Sequence, residues 1–486
     1  MSVVNFLNFA EGLYTDVSPI LVPPNALYLM SNVNTSWKIG TIIKRPGYKN
    51  IGSALQAGKS ITGLFNFRQD AATHKMFATV NDSSDDDTQL FYSTGGSWSE
   101  VTAGEVAWAN EANVNVEMEA FIDYLFMVGW NSTDGFLPVR TLTGTTLGTT
   151  NTTNMPSAKY IKRYRDRIYL GNCDISATAY PYRVYFSSVP SGGSISWTVA
   201  TDFVDVDYSE EVKGLGENWD RLVIFTEYSA YMYNQTEFKK VWDRGCANHR
   251  TIKNSGGYMI WADMDGVWMS TGGRPENISG RVKDFIQFTD MTAAFAEVVD
   301  EEYHLYVGSV TVNGISYVNC SLIFNIPTST WRVHEYADNM TIFAKYYASG
   351  QDHLWMGDVS GDVHELGKYT DSTILTSDDG SDIHSMFQTG AISLNEPAIN
   401  KRLNKLWVYA DRGQGLNLKG RVIDNNTSSV MEFRKLGQLT KYISEFQPRP
   451  DRGHLLQIEG VEVGQLPYWS MYGLSIDFSI NKPPKP

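Results

Sequence analysis

Residues 158–173 read AKYIKRYRDRIYLGNC. On each side of Tyr164, Arg165, Asp166 and Arg167 the chain is β-prone, so the stretch reads as a strand, a tight turn and a second strand. RVYFSS at 183–188 and SISWTV at 194–199 continue the unit with further strand-like runs. The same order returns along the chain. ITGLFNF, KMFATV, QLFYST and SWSEV follow one another from Ile61, and VNVEMEAFIDYLFMVG begins at Val114. VKGLGENWDRLVIFTEYSAYMYN starts at Val212 and RTIKNSGGYMIWADMDGVWMSTGG at Arg250. AAFAEVVDEEYHLYVGS starts at Ala293, before SLIFNI and WRVHEY, and TIFAKYYASGQDHLWMGDVSGDVHELG at Thr341. Turns such as YRDR, NWDR, DEEY and SGQDH precede runs such as IYLG, LVIF, HLYVG and HLWMG, the order a hairpin requires. A repeat of roughly 40 to 55 residues, each one a small antiparallel sheet, is the signature of a β-propeller.

Composition agrees with an all-β chain. Aromatic residues make up 13% and glycines number 41, while long 3.6-period runs of Ala, Leu, Glu and Lys are missing. The expected fold is all-β, with a propeller-like body of about six or seven blades between an amino-terminal extended arm and a carboxy-terminal β-sandwich-like domain. The arm covers residues 1–58, where Pro19, Pro23 and Pro24 interrupt regular structure and PNALYLMSN is able to open a short helix. The body covers 59–369 and a polar linker 370–384. From 385 to 486 strands such as NKLWVYADRG, LNLKGRVIDNN, HLLQIEGVEV and YWSMYGLSIDFSI are separated by turn clusters, and the tail NKPPKP reads as disordered.

The formal net charge of −14 argues against a protein that grips nucleic acid, because phosphate binding needs clustered Lys and Arg. An acidic wall instead lets a polyanion pass without sticking. No apolar run reaches the length of a membrane span, and MSVVNFLNFAEG lacks the basic and apolar regions of a signal peptide, so synthesis in a cytoplasm is expected. Cys173, Cys246 and Cys320 lie far apart and form no CxxC pair, and are read as buried structural thiols.

The arm phrase GLYTDVSPILVPPNALYLMSNVNTSWKIGTIIKRPGYKNIG contains Asn32, Gly40 and the run Lys44, Arg45, Pro46, Gly47. A GVW and ENIS segment follows within Gly266–Ser279, and a KR, L, V pattern within Lys401–Val408. In that order the chain resembles the tail nozzle and tail hub (stabilisation, tail tubular) proteins of tailed bacteriophages. The resemblance implies a structural virion protein of the phage tail, made in the host cytoplasm. It implies a homo-oligomeric ring, six copies in the family, through which the genome leaves without specific binding. The implied partners are adaptor or portal-proximal proteins above and fibres or spikes around. Tyr28, Leu29, Met30, Lys44 and Arg45 are the candidate partner-binding residues of the arm. Taken alone, KRPG is also a common turn and GVWMSTGG an ordinary strand and turn.

Enzyme signatures are not found. There is no GxSxG and no HExxH, and GLGENW at Gly214 lacks a third glycine. Asp82, Asp85, Asp86 and Asp87, and the ADMDG pair Asp263 and Asp265, do not follow the ligand spacing of a calcium loop. His353, His364 and His384 share a stretch, yet the first two fall on different strands. No catalytic, cofactor or metal residue is therefore expected. The alternative function is a tail protein that binds or degrades host-surface glycans, with Glu297, Asp300, Glu301 and Glu302 as candidate acids and Trp261, Trp268 and Trp355 as candidate sugar platforms.

Overall fold

The computed structural model describes residues 2–68, 74–81, 87–101, 107–109, 111, 113–393, 400–411, 416–424, 427–433, 443–446, 448–449, 452–462, 464 and 469–480. Asp82, Asp85, Asp86 and the NKPPKP tail lie outside these residues.

Seven antiparallel sheets follow one another between Ile61 and Leu366. The first six have their main strands in sequence order from the inside outward, as in Gly214–Asn218, Arg221–Phe225, Ala230–Tyr233 and Phe238–Trp242. They are the blades of a β-propeller. The innermost strands are Ile61–Arg68, Asn115–Phe121, Ser157–Tyr164, Gly214–Asn218, Lys253–Ser255, Phe295–Val299 and Met340–Ala348. Helix in this span, among the described residues, is limited to Lys283–Gln287 and short 3₁₀ turns at His249–Thr251 and Gly280–Val282.

The second strand of each blade reads as an almost continuous apolar run because both of its faces are buried. In blade two, Leu125 and Met127 pack with Phe77 and Val116 toward blade one, while Phe126 and Val128 pack with Ile161 and Leu170 toward blade three. In blade five, Met259 and Trp261 join Val223 and Phe225 of blade four, while Ile260 and Ala262 join Leu305 and Leu322 of blade six. At the end of the ring, Ile342 and Trp355 of blade seven meet Ile61 and Met76 of blade one. Each such side chain contributes about 1.5–3 kcal/mol when fully buried.

The last blade is built from both ends of the chain. Its strands Met340–Ala348, Gln351–Asp358 and Val363–Leu366 are completed by Tyr48–Asn50, with Asn50 opposite His364 and Tyr48 opposite Leu366. Ser377–Asp378 and Ser381–Asp382 extend the same sheet, so the expected linker is partly strand. This pairing covers an edge that would otherwise be free and locks the circle.

The first 58 residues are not an extended arm. Ser2–Phe6, Val33–Asn34 and Ile42–Lys44 join Lys401–Asp411, Ile443–Phe446 and Ser470–Ile480 in one sheet of the carboxy-terminal sandwich. Leu27–Ser31, where a helix was expected, is a strand of the other sheet and pairs with Ser385–Thr389. The reason is side-chain burial: Leu27 and Met30 enter a core with Phe387, Leu456 and Ile458 that outweighs local helix preference. That core runs on without a break into the one between blades five and six, so sandwich and propeller share apolar packing.

Candidate functional site

Two places gather charge in the interior: the propeller axis and the joint where arm, linker and blade six meet.

Along the axis a cavity of about 360 Å³ is lined by all seven inner strands. Most of these strands place a charged side chain in the middle of an otherwise β-prone run, and the charges alternate in sign around the ring. Glu117, Glu119, Glu217 and Glu297 face Lys162, Arg250, Lys253 and Lys345. Lys162 lies 3.3 Å from Glu119 and Lys253 3.1 Å from Glu297, while Lys345 reaches Asp352 at 3.6 Å. Arg250 precedes the inner strand of blade five and reaches across to the opposite side. Its Nε donates to Glu117 Oε1 at 2.7 Å and its Nη2 to the carbonyls of Thr62 in blade one and Val116 in blade two, at 2.9 and 3.0 Å. The guanidinium therefore bars the end of the axis at which the inner strands begin.

The Glu217 carboxylate has no hydrogen bond or ion pair among the described residues, and burial holds its pKa above the usual range, partly offset by Lys162. Beside Arg250, His249 is half-buried and its pKa is pushed down to about 4 by desolvation; its Nδ1 accepts from the Leu215 amide at 3.1 Å. With every axial charge but Glu217 paired, the axis is suited to holding blades in register or seating a small polar molecule. It presents no activated nucleophile.

The joint is centred on Arg45, which is fully buried. Its five donors are all taken within the chain. Nε donates to Asn32 Oδ1 at 2.7 Å, Nη1 to the Pro46 carbonyl and Asp378 Oδ1 at 2.8 Å each, and Nη2 to the Glu335 carbonyl and Asp378 Oδ2 at 2.5 Å each. Asn32 adopts φ 55° and spends its other contacts on the His384 carbonyl and the Glu335 amide. Lys44 Nζ lies 2.8 Å from the buried Glu462 and donates to the Gly464 carbonyl, which ties the arm to the sandwich. Gly47 passes so close to the linker that a Cβ there would stand 1.8 Å from the Ser377 carbonyl oxygen. Gly40 has φ +83° and abuts Asn8.

These contacts correct the reading of the arm as a free docking segment. Leu29, Met30, Lys44 and Arg45 are buried in their own chain, and only Tyr28 among the five is half-buried. A partly open Lys or Arg is a common partner contact, but a guanidinium with every donor satisfied in a buried joint is architecture.

The other candidates are likewise engaged. Glu297 pairs with Lys253, Glu302 with Arg332, and Asp300 with Lys368 at 2.6 Å. Asp300 and Glu301, with φ 50° and 62°, form the two-residue turn of blade six. Trp261 and Trp355 are buried between blades, and the Arg244 guanidinium covers Trp268 at 4.5 Å from the ring centre. Asp263 Oδ1 accepts the amides of Asp265 and Gly266 in its own turn, and Asp265 pairs with Arg244. His353 Nδ1 meets Glu365 at 2.6 Å, and His384 is exposed. All three cysteines are buried, with Cys246 pushed up to about 12 by desolvation.

The sequence reading missed Arg250 and the axial ring of charge. The recurrent charged residue in VNVEMEAF, YIKRY, GLGEN, FAEVV and IFAKYY was a usable signal for the ring. Nothing local marked Arg250.

No family model matches the chain, and no curated protein matches it. Among solved structures it is similar to the CNH domain of AfRom2, at 9% identity and a TM-score of 0.39, over 67% of this chain and 100% of that one. It is similar to the WD40 domain of Neurospora crassa Pan2, at 7% identity and 0.41, over 68% and 97%. A third likeness is the WD40 domain of Toxoplasma gondii coronin, at 10% identity and 0.37, over 72% and 90%.

Proposed function

We propose that the chain is a structural protein of a bacteriophage tail, a nozzle or hub subunit that assembles into a ring at the distal tail. The genome leaves through the ring, and adaptor and fibre proteins attach to it. The observation that carries this reading is the use made of the Asn32, Gly40, Lys44–Gly47 motif. Asn32, Lys44, Arg45 and Gly47 are spent on the joint between propeller, linker and sandwich, and Gly40 packs on Asn8 within the amino-terminal segment, so a likeness in those residues is a likeness in architecture.

The propeller axis is not the conduit in this reading. A cavity of about 360 Å³ barred by Arg250 has no room for a duplex whose major groove alone is about 12 Å wide. The passage is formed between subunits, and the net charge of −14 suits a wall that does not retain DNA. Six copies is the number the family resemblance implies.

Native mass spectrometry and electron microscopy of the purified chain test the proposal together with a duplex-binding assay. A closed ring that does not retain linear duplex at moderate salt is expected. A chain that stays monomeric at high concentration, or one that binds duplex tightly with steep salt dependence, overturns it.

A further inference from the structure

At the closing blade, three side chains from within residues 338–364 converge. Asp338 lies in the connection between blades six and seven, Asp358 ends the second strand of blade seven, and His364 lies on its third strand beside Asn50. One ligand-type atom from each falls within 4.8 Å of the others. His364 Nε2 is 3.3 Å from Asp358 Oδ2 and 3.9 Å from Asp338 Oδ2. Asp358 is 1% exposed and His364 2%, and Asp338 is half-buried.

The arrangement lacks a counter-charge. Neither carboxylate has a Lys or Arg within ion-pair distance among the described residues; the imidazole is their shared neighbour. A neutral imidazole has one proton to offer at Nε2, and two carboxylate oxygens face it. The shorter approach, 3.3 Å, is already longer than the roughly 2.7–2.9 Å of a charge-assisted hydrogen bond. Asp358 Oδ1 is occupied by the amides of Ser360 and Asp362, at 2.9 and 2.8 Å, which aims Oδ2 at the cluster. The Tyr48 hydroxyl donates to Asp338 Oδ2 at 2.6 Å and holds that carboxylate in place. The buried Nδ1 of His364 has no hydrogen-bond partner among the described residues, so no second contact fixes its tautomer.

Atoms that share a metal at about 2.0–2.2 Å in tetrahedral geometry stand roughly 3.3–3.6 Å apart. Separations of 3.3 and 3.9 Å between imidazole nitrogen and carboxylate oxygens are therefore near those of a coordination shell. Compact hydrogen-bonded pairs stand closer.

We infer that Asp338, Asp358 and His364 form a binding site for one divalent cation of the zinc class, which clasps the propeller where its two chain ends meet. An imidazole with two carboxylates selects zinc or manganese over the all-oxygen sites preferred by calcium and magnesium. The half-exposed Asp338 gives the ion a path in, and water completes the shell on that side. The cation replaces the missing counter-charge and links the third strand, the end of the second and the connection from blade six. Through Tyr48 it also holds the amino-terminal strand.

The test is metal binding by the full chain. The protein is stripped with chelator, dialysed, and titrated calorimetrically with ZnCl₂, MnCl₂ and CaCl₂ in separate experiments, with bound metal measured by mass spectrometry. One equivalent of zinc or manganese per chain is expected, with affinity at least about tenfold weaker in Asp338→Asn and in His364→Gln. Asp338→Asn keeps a partner for Tyr48 and is the variant chosen to remain folded. Hydrogen exchange of Tyr48–Asn50 and Val363–Leu366 should slow when the metal binds. Substoichiometric metal, binding unchanged in both variants, or calcium binding that ignores His364→Gln overturns the assignment.

Discussion

Asp378 and Asp358 are buried carboxylates in the same extended sheet of blade seven, and the chain treats them differently. Asp378 receives the bidentate Arg45 fork, a fully compensated joint between arm, linker and blade six. Asp358 faces an imidazole and a second carboxylate and receives no Lys or Arg among the described residues. Where the chain supplies its own cation, a buried charge becomes architecture. Where it does not, charge is left for something else to neutralise, because an uncompensated buried ion is unfavourable.

The largest test of this contrast is to break the compensated side. Arg45→Met should lower stability by about 3–5 kcal/mol in denaturant unfolding, since Asp378 is left buried and alone. Adding Asp378→Leu should recover most of that loss. A single variant as stable as the parent would mean that the joint is wet and the contrast unfounded.

Acid probes the same neighbourhood through histidines. Burial lowers the pKa of His304 to about 4, and burial together with the nearby Arg332 and Arg45 holds that of His334 well below its usual range. Above an unfolded value of about 6.5 both states are neutral and stability is unaffected. As pH falls from about 6.5 toward 4 the unfolded chain takes up protons that the folded one refuses. For His304 stability should drop by about 1.4 kcal/mol per pH unit, about 3 kcal/mol across the window, and His334 adds a loss of the same sign. Melting temperatures measured from pH 7 to 4 should fall less steeply in His334→Gln. Equal slopes would show that His334 is not held neutral by its surroundings.

A smaller effect is expected from Gly47→Ala. Its Cβ would collide with the Ser377 carbonyl, so the joint must shift at about 1–3 kcal/mol. Gly273→Ala, where nothing lies within 4 Å of the added carbon, should stay within about 0.5 kcal/mol. The smallest belongs to the uncompensated side. In cation-free buffer Asp338→Asn should be neutral or slightly stabilising, within about 1 kcal/mol, because it removes a charge with no Lys or Arg partner. A large loss there would mean that the carboxylate is structural in its own right.

Period-two apolar patterning and turn chemistry in runs such as AKYIKRYRDRIYLGNC determine hairpins locally, because a strand buried on both faces and a two-residue turn are written in adjacent residues. The sheet repeat, and with it the propeller, was legible for that reason. So was the strand character of LNLKGRVIDNN and YWSMYGLSIDFSI. The arm was not. LYLMS carries no sign that it pairs with Ser385–Thr389, and Tyr48–Asn50 none that it completes a blade ending more than three hundred residues later. Such pairings are chosen by which open edge the rest of the fold presents. The sites divide the same way. A charge in most inner strands stood in the sequence, but Arg250 crosses the axis only through ring closure, and His364 meets Asp338 and Asp358 only through the pairing and connections of blade seven. Sequence by itself determined the strands and their repeat, since side-chain periodicity and turn preference act over a few residues. The tertiary structure alone decided which distant edges pair and which charges meet, because both depend on the fold bringing separate segments within hydrogen-bonding reach.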